Sequence, residues 1–125
     1  MLYGIGTDLV EVDRMEKTIA LGRDHLAGIF TPAEIDYCES MGRKSEHYAA
    51  RFAAKEAFFK AMGTGWRGGV KFAEVEIIND ELGKPHIRLY GKVKEFSQQH
   101  NFSQVSISLS HVKDLAVAVV IIENG

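Results

Sequence analysis

Apolar and polar positions alternate over residues 2–10, with Leu2, Gly4, Gly6 and Asp8 on one side and Tyr3, Ile5, Thr7 and Leu9 on the other. That period predicts a strand. From Asp13 to about Leu26 the spacing becomes helical, with Asp13 as cap and Met15, Ile19 and Leu26 turned inward. Thr31-Pro32-Ala33-Glu34 marks a second helix start: a threonine N-cap, a proline that needs no amide proton, and a glutamate at N3 closing a capping box. This helix should run to about Met41 and stop at Gly42. A third begins near Ser45 and continues to Met62, followed by a glycine-rich loop with Gly63, Gly65, Gly68 and Gly69 around Trp66. Beyond the loop the pattern is mostly β. Ala73–Ile78 and Pro85–Tyr90 flank a turn-rich connection, Gly91–His100 reads as a short helix, and Val105–Ser110 alternates strictly with Val105, Ile107 and Leu109 on the core face. Ala116–Ile122 is nearly continuously apolar, a strand buried on both sides by the fold or by an oligomer. The element order predicts one α+β domain over residues 1–125, with a mainly antiparallel sheet packed against helices.

The third helix departs most from an ordinary pattern. Its segment Arg51-Phe52-Ala53-Ala54-Lys55-Glu56-Ala57-Phe58-Phe59-Lys60 has no clean polar face, and Ala53, Ala54, Ala57 and Ala61 form a broad flank suited to close packing. A helix apolar nearly all round is usually buried, and a carboxylate inside it needs a positive partner. Glu56 and Lys60 stand four residues apart, so an intrahelical ion pair is the simplest partner.

Composition narrows the possibilities. The 125 residues carry a formal charge of −2, with 46% hydrophobic and 26% charged residues, which is ordinary for a globular domain. There is no overall attraction to nucleic acid or to an anionic membrane, so any anion must be bound by a local basic cluster. The lone Cys38 excludes an intrachain disulfide and a cysteine-rich zinc site, and it suits a reducing cytoplasm. Residues 1–6 lack the basic region and cleavage site of a signal peptide. The longest apolar run, Leu115–Ile122, is too short to span a bilayer as a helix.

Three further features could carry chemistry. Gly4-Ile5-Gly6-Thr7-Asp8 ends a strand with a carboxylate on its glycine face, where a backbone or ligand can approach closely; Asp8 could equally cap a turn. The glycine loop directly after Lys60 could wrap phosphates through its amides, although it lacks the P-loop order and could be a plain connection. Ser110-His111 stands where a strand gives way to a turn, placed to bind phosphate, relay a proton or face solvent. His25, His47, His86 and His100 show no metal-binding spacing. Asp8 and Glu56 together suggest Mg²⁺, two hard oxygen ligands that leave positions for water and phosphate oxygens, provided the strand end meets the helix.

These residues resemble the holo-acyl-carrier-protein synthases, the short single-domain branch of the 4′-phosphopantetheinyl transferase superfamily. The likeness rests on Gly4–Asp8, Arg51–Ala61, Gly83-Lys84-Pro85, Ser106–His111 and Ala116-Val117-Ala118, and it extends over essentially the whole chain. It implies Mg²⁺-dependent transfer of 4′-phosphopantetheine from coenzyme A to a serine of an apo-acyl carrier protein, with release of adenosine 3′,5′-bisphosphate, in support of fatty acid biosynthesis. It also implies Asp8 and Glu56 as metal ligands and Asp8, Glu56 and Lys60 as catalytic residues, with Lys60 on the pyrophosphate. Arg43, Lys44, Arg51, Gly63, Gly65, Pro85, Ser110 and His111 are expected at coenzyme A, Lys55 being a further candidate. A homotrimer with active sites between subunits is implied, as is a basic carrier-docking surface from Arg14, Lys17, Arg23 and His25 with Leu26 and Phe30 as apolar anchors. Arg14 and Arg23 fall on opposite sides of one ideal helix, so shared docking requires a bend or break before Arg23. Two other readings use the same residues: a Mg²⁺-dependent phosphodiesterase or nucleotide hydrolase, and a non-catalytic oligomeric binding module with a structural Glu56–Lys60 pair.

Overall fold

The computed structural model describes residues 1–64 and 69–125; Gly65, Trp66 and Gly68 of the expected glycine loop lie outside the described residues. The order is β1 (Leu2–Glu11), α1 (Val12–Ala20), α2 (Arg23–Ala27), α3 (Pro32–Glu39), α4 (Lys44–Met62), β2 (Val75–Asn79), β3 (Pro85–Leu89), α5 (Gly91–Gln99), β4 (Phe102–His111) and β5 (Leu115–Asn124). An antiparallel sheet of order β1-β5-β4 covers one side of α4, and β2-β3 form a separate antiparallel hairpin. The fold is α+β, as the pattern predicts.

Two boundaries differ instructively. The expected helix 13–26 is two helices, because Gly22 takes a positive φ of 104° and breaks the ladder after Leu21. Asp13 does not cap it; Glu11 holds the N-cap position without a side-chain bond, and Asp13 lies in the first turn. Ala73 and Glu74 belong to a short 3-10 turn, Phe72–Glu74, rather than to β2. The Thr31–Glu34 capping box forms as expected, with Thr31 N donating to Glu34 Oε1 at 2.9 Å and Glu34 N to Thr31 Oγ1 at 3.3 Å.

Helix α4 is the core. Ala53, Ala54, Ala57, Phe58 and Phe59 are fully or almost fully buried, which is why this helix needs no polar face. Its alanine flank meets the glycine face of β1: a Cβ on Gly4 would fall 1.9 Å from the Ala61 carbonyl oxygen, and one on Gly6 would fall 1.9 Å from that of Ala57. Glycine in the strand and alanine in the helix thus let two backbones touch, and Asp8, next on that face, is carried to the same helix.

Lys55 is wholly buried against Glu34, also wholly buried, at 2.8 Å. Its ammonium also donates to the carbonyls of Phe72 and Val75 at 3.1 and 2.6 Å. Glu34 in turn accepts from Ile77 N at 2.9 Å. This cluster ties α4 to α3 and β2, so Lys55 is a core residue and not a coenzyme A contact. Burial pulls its pKa below the ordinary lysine value, with Glu34 opposing.

On β5, Ala116, Ala118, Val120 and Ile122 are buried against α4. The other face is left open by the described residues. There Ile5 (61% exposed), Leu9 (65%) and Val119 (37%) share a surface with Val117 and Ile121, bordered by Ser106, Ser108 and Ser110 of β4. No helix among the described residues is long and apolar enough to cross a membrane.

Candidate active site

Asp8, Glu56 and Lys60 line one open groove of about 860 Å³, whose opposite wall includes Arg14, Met15, Lys17 and Thr18 of α1. The strand end therefore meets the helix. Lys60 does not make the expected intrahelical pair with Glu56: its Nζ donates to Asp8 Oδ1 at 2.9 Å and to the Thr7 carbonyl at 3.0 Å. The glycine–alanine contact permits this pairing, since it lays the strand that carries Asp8 directly on the helix that carries Lys60. Burial raises the Glu56 pKa above its ordinary value, the neighbouring Asp8 carboxylate adds to the rise, and Lys60 opposes both. The groove thus carries the acids Asp8, Glu11 and Glu56 beside the cations Arg14, Lys17 and Lys60, and the Asp8 and Glu56 carboxylates that interact with each other offer hard oxygen donors suited to a hard cation. Among the described residues no group of three or more His, Cys, Asp or Glu is placed to hold a metal ion, so a cation here would take only these two protein carboxylates.

A second neighbourhood lies toward the N-terminal end of α4. Arg43 Nη1 stands 3.7 Å from Glu46 Oε2, and His111 Nδ1 stands 2.9 Å from Glu46 Oε1. The His111 ring packs edge-on to His47 at 5.0 Å, and His47 packs on Tyr37. Tyr37 carries the Arg51 guanidinium over its face at 4.1 Å, and Arg51 donates to Asn79 Oδ1 at 2.5 Å. Asn79 is the register partner of Pro85. Arg43, Arg51, Pro85 and His111, expected at coenzyme A, are therefore linked through one chain of contacts. Burial lowers the His47 pKa, and the charges of His111 and Arg51 lower it further.

Several expectations need correction. Arg51 is 3% exposed, with its guanidinium held between Tyr37 and Asn79, so it stiffens this neighbourhood instead of presenting a free cation. Lys44 pairs with Glu39 at 3.2 Å. Ser110 and His111 point to opposite sheet faces, because consecutive strand residues alternate: His111 pairs with buried Ala116, Ser110 with Val117 on the open face. Gly63 caps α4 at its far end with φ 85°, a full 19-residue helix from Arg43 and Lys44, about 28 Å at the helical rise. Within one chain these cannot meet the same end of a nucleotide. Leu26 and Phe30, at 4% and 1% exposure, are core residues beneath the α1–α2 surface and cannot anchor a partner. Arg14 lines the groove itself, and Arg23, freed onto α2 by the break at Gly22, pairs loosely with Asp36 at 3.5 Å.

Sequence reasoning missed the Glu46–His111 contact and the Glu34–Lys55 pair. The second had a signal: a lysine within an apolar helix demands a buried acid, although nothing in the sequence says which.

The model of the 4′-phosphopantetheinyl transferase superfamily matches residues 4–120. The chain belongs to that superfamily. A holo-[acyl-carrier-protein] synthase from Geobacter sp. (strain M21) is 48% identical over 124 residues, 98% of this chain and 99% of the other. The solved holo-[acyl-carrier-protein] synthase of Neisseria meningitidis superposes with a TM-score of 0.90 at 38% identity, covering 99% and 100% of the two chains. That of Bacillus anthracis str. Ames, in complex with CoA (3′,5′-ADP), superposes with a TM-score of 0.82 at 35% identity, covering 100% and 99%. The superfamily assignment makes the chain a transferase.

Proposed function

We propose that this protein transfers 4′-phosphopantetheine from coenzyme A to a serine hydroxyl of an apo-acyl carrier protein, releasing adenosine 3′,5′-bisphosphate, as a cytoplasmic step supporting fatty acid biosynthesis. The observation that carries the reading is the convergence of Asp8, Glu56 and Lys60 in one groove of a chain from this superfamily. In the reaction the serine oxygen forms a bond to the phosphorus bearing the pantetheine arm. The bond from that phosphorus to the bisphosphate oxygen breaks, and the serine proton leaves.

The residues suit these tasks. Lys60 supplies positive charge at the pyrophosphate, worth most where water is excluded. Glu56, a carboxylate that lines the groove, would take the serine proton. Asp8 and Glu56 would hold Mg²⁺, and the ion, when bound, would supply positive charge against the pyrophosphate and the departing bisphosphate. Their oxygen-only donor set fits that ion, which keeps water and phosphate ligands readily.

Arg43, Lys44, Pro85, Ser110, His111 and Gly63 are assigned to coenzyme A, and a homotrimer accounts for their separation. The open apolar face of Ile5, Leu9, Val117, Val119 and Ile121 is suited to bury against neighbouring copies. Ser110 on that face would then reach a neighbour's groove. The acidic carrier would dock along α1 and α2 through Arg14, Lys17, Arg23 and His25, of which Arg14 and Lys17 line the groove itself.

Replacing Glu56 by glutamine tests the site. Activity should fall by roughly 10²–10⁴-fold. Stability should move the other way. A carboxyl whose folded pKa is raised favours folding below the unfolded value and loses that contribution as pH rises through the folded value. The glutamine variant should therefore melt higher than the parent at neutral pH without metal, and the difference should vanish below the ordinary glutamate value of 4.5. A variant of full activity, or one less stable at neutral pH, contradicts the assignment. Incubation with coenzyme A and Mg²⁺ alone separates transfer from hydrolysis: no bisphosphate should appear until carrier protein is added.

A further inference from the structure

Lys60 and a divalent cation compete for the same carboxylate. The ammonium donates to Asp8 Oδ1 and the Thr7 carbonyl. It reaches them from the open groove, since its side chain is 54% exposed while that of Asp8 is 18% exposed. A cation arriving from solvent comes by the same route. Held against Asp8, the lysine ammonium would stand beside an incoming ion of like charge, and in a half-covered groove that repulsion is poorly screened.

We propose that Lys60 is a resident counter-ion for the metal site, displaced from Asp8 when a divalent cation binds and re-partnered by the pyrophosphate of the substrate. The proposal rests on the reading of Asp8 and Glu56 as the metal ligands. Its consequence is a coupled entry. A free divalent ion binds weakly because it must leave the lysine without an anion. A pyrophosphate ester without metal finds the lysine already engaged. Together each supplies what the other displaces, so the site loads the metal with its substrate. The coupling is reciprocal, since each ligand must raise the other's affinity by one factor. Lys60 also reaches this position only because Gly4 and Gly6 let α4 lie directly on β1, so the exchange is built into the packing.

The test uses the intact protein, with Mn²⁺ as the probe and its free-ion electron paramagnetic resonance signal as the readout. Lys60→Met should bind Mn²⁺ without coenzyme A at least about five-fold more tightly than the parent. Arg14→Gln removes a groove-lining cation that makes no bond to Asp8, and it should tighten binding distinctly less. Added coenzyme A should tighten Mn²⁺ binding by a larger factor in the parent than in Lys60→Met. Equal Mn²⁺ affinity in parent and Lys60→Met, or equal tightening in the two variants, overturns the exchange while leaving the metal ligands standing. Absence of Mn²⁺ binding in every protein, with coenzyme A present, overturns both.

Discussion

Lys55→Met is expected to destabilise the protein by about 3–5 kcal/mol, the cost of leaving one member of a buried ion pair without its partner. Lys55 and Glu34 have no side-chain exposure, and their nitrogen and oxygen stand 2.8 Å apart. Water cannot take over from the missing ammonium without opening the contact between α3, α4 and β2. The double variant Lys55→Met/Glu34→Gln should recover part of the loss, because a neutral pair imposes no uncompensated charge. It should not recover all of it, since the Val75 carbonyl still loses its donor. Urea denaturation midpoints of the three proteins decide the matter. A Lys55→Met protein as stable as the parent would mean that the pair contributes nothing. The folded fraction of the variant should still turn over, since all three Lys55 hydrogen bonds lead into the core and away from the groove.

Gly6→Ala should be at least as damaging, and through geometry alone. The new Cβ would fall 1.9 Å from the Ala57 carbonyl oxygen and 2.8 Å from Ala61 N. Both are helix backbone atoms, which cannot step aside singly. Either α4 lifts from β1 or the protein fails to fold, an effect above the ordinary range of about 0.5–3 kcal/mol for single substitutions. Lifting the helix also moves Glu56 and Lys60 away from Asp8, and a displacement of about 1 Å at a reacting site can cost on the order of 10²-fold in rate. Gly42→Ala is the matched control, because nothing lies within 4 Å of a Cβ there. Thermal melts and bisphosphate release on the two variants should separate cleanly. An active, stable Gly6→Ala protein would contradict the close approach.

Much of this was legible in the sequence. The alternation of residues 2–10 placed Asp8 on the glycine face, and the alanine flank of the long helix was the matching half of that contact. Thr31 and Glu34 announced the start of α3 because capping is a local transaction between residues three apart. The failures have a common cause: they depend on what is distant in sequence. Lys60 lies four residues from Glu56, yet it pairs with Asp8, 52 positions away, because tertiary contact outweighs an exposed helical pair of a few tenths of a kcal/mol. Arg51 and Lys55 look alike as cations on a helix, and only the burial of both withdraws them from the substrate. Leu26 and Phe30, implied as docking anchors by the resemblance, are core residues, and the helical pattern had already turned Leu26 inward.

The central claim is a covalent transfer, and mass spectrometry reads it directly. An apo-acyl carrier protein incubated with this protein, coenzyme A and Mg²⁺ should gain one phosphopantetheine group on a single serine, and the Glu56→Gln protein should leave it almost unmodified. A carrier that keeps its original mass, with the enzyme folded and the carrier competent, would contradict the account.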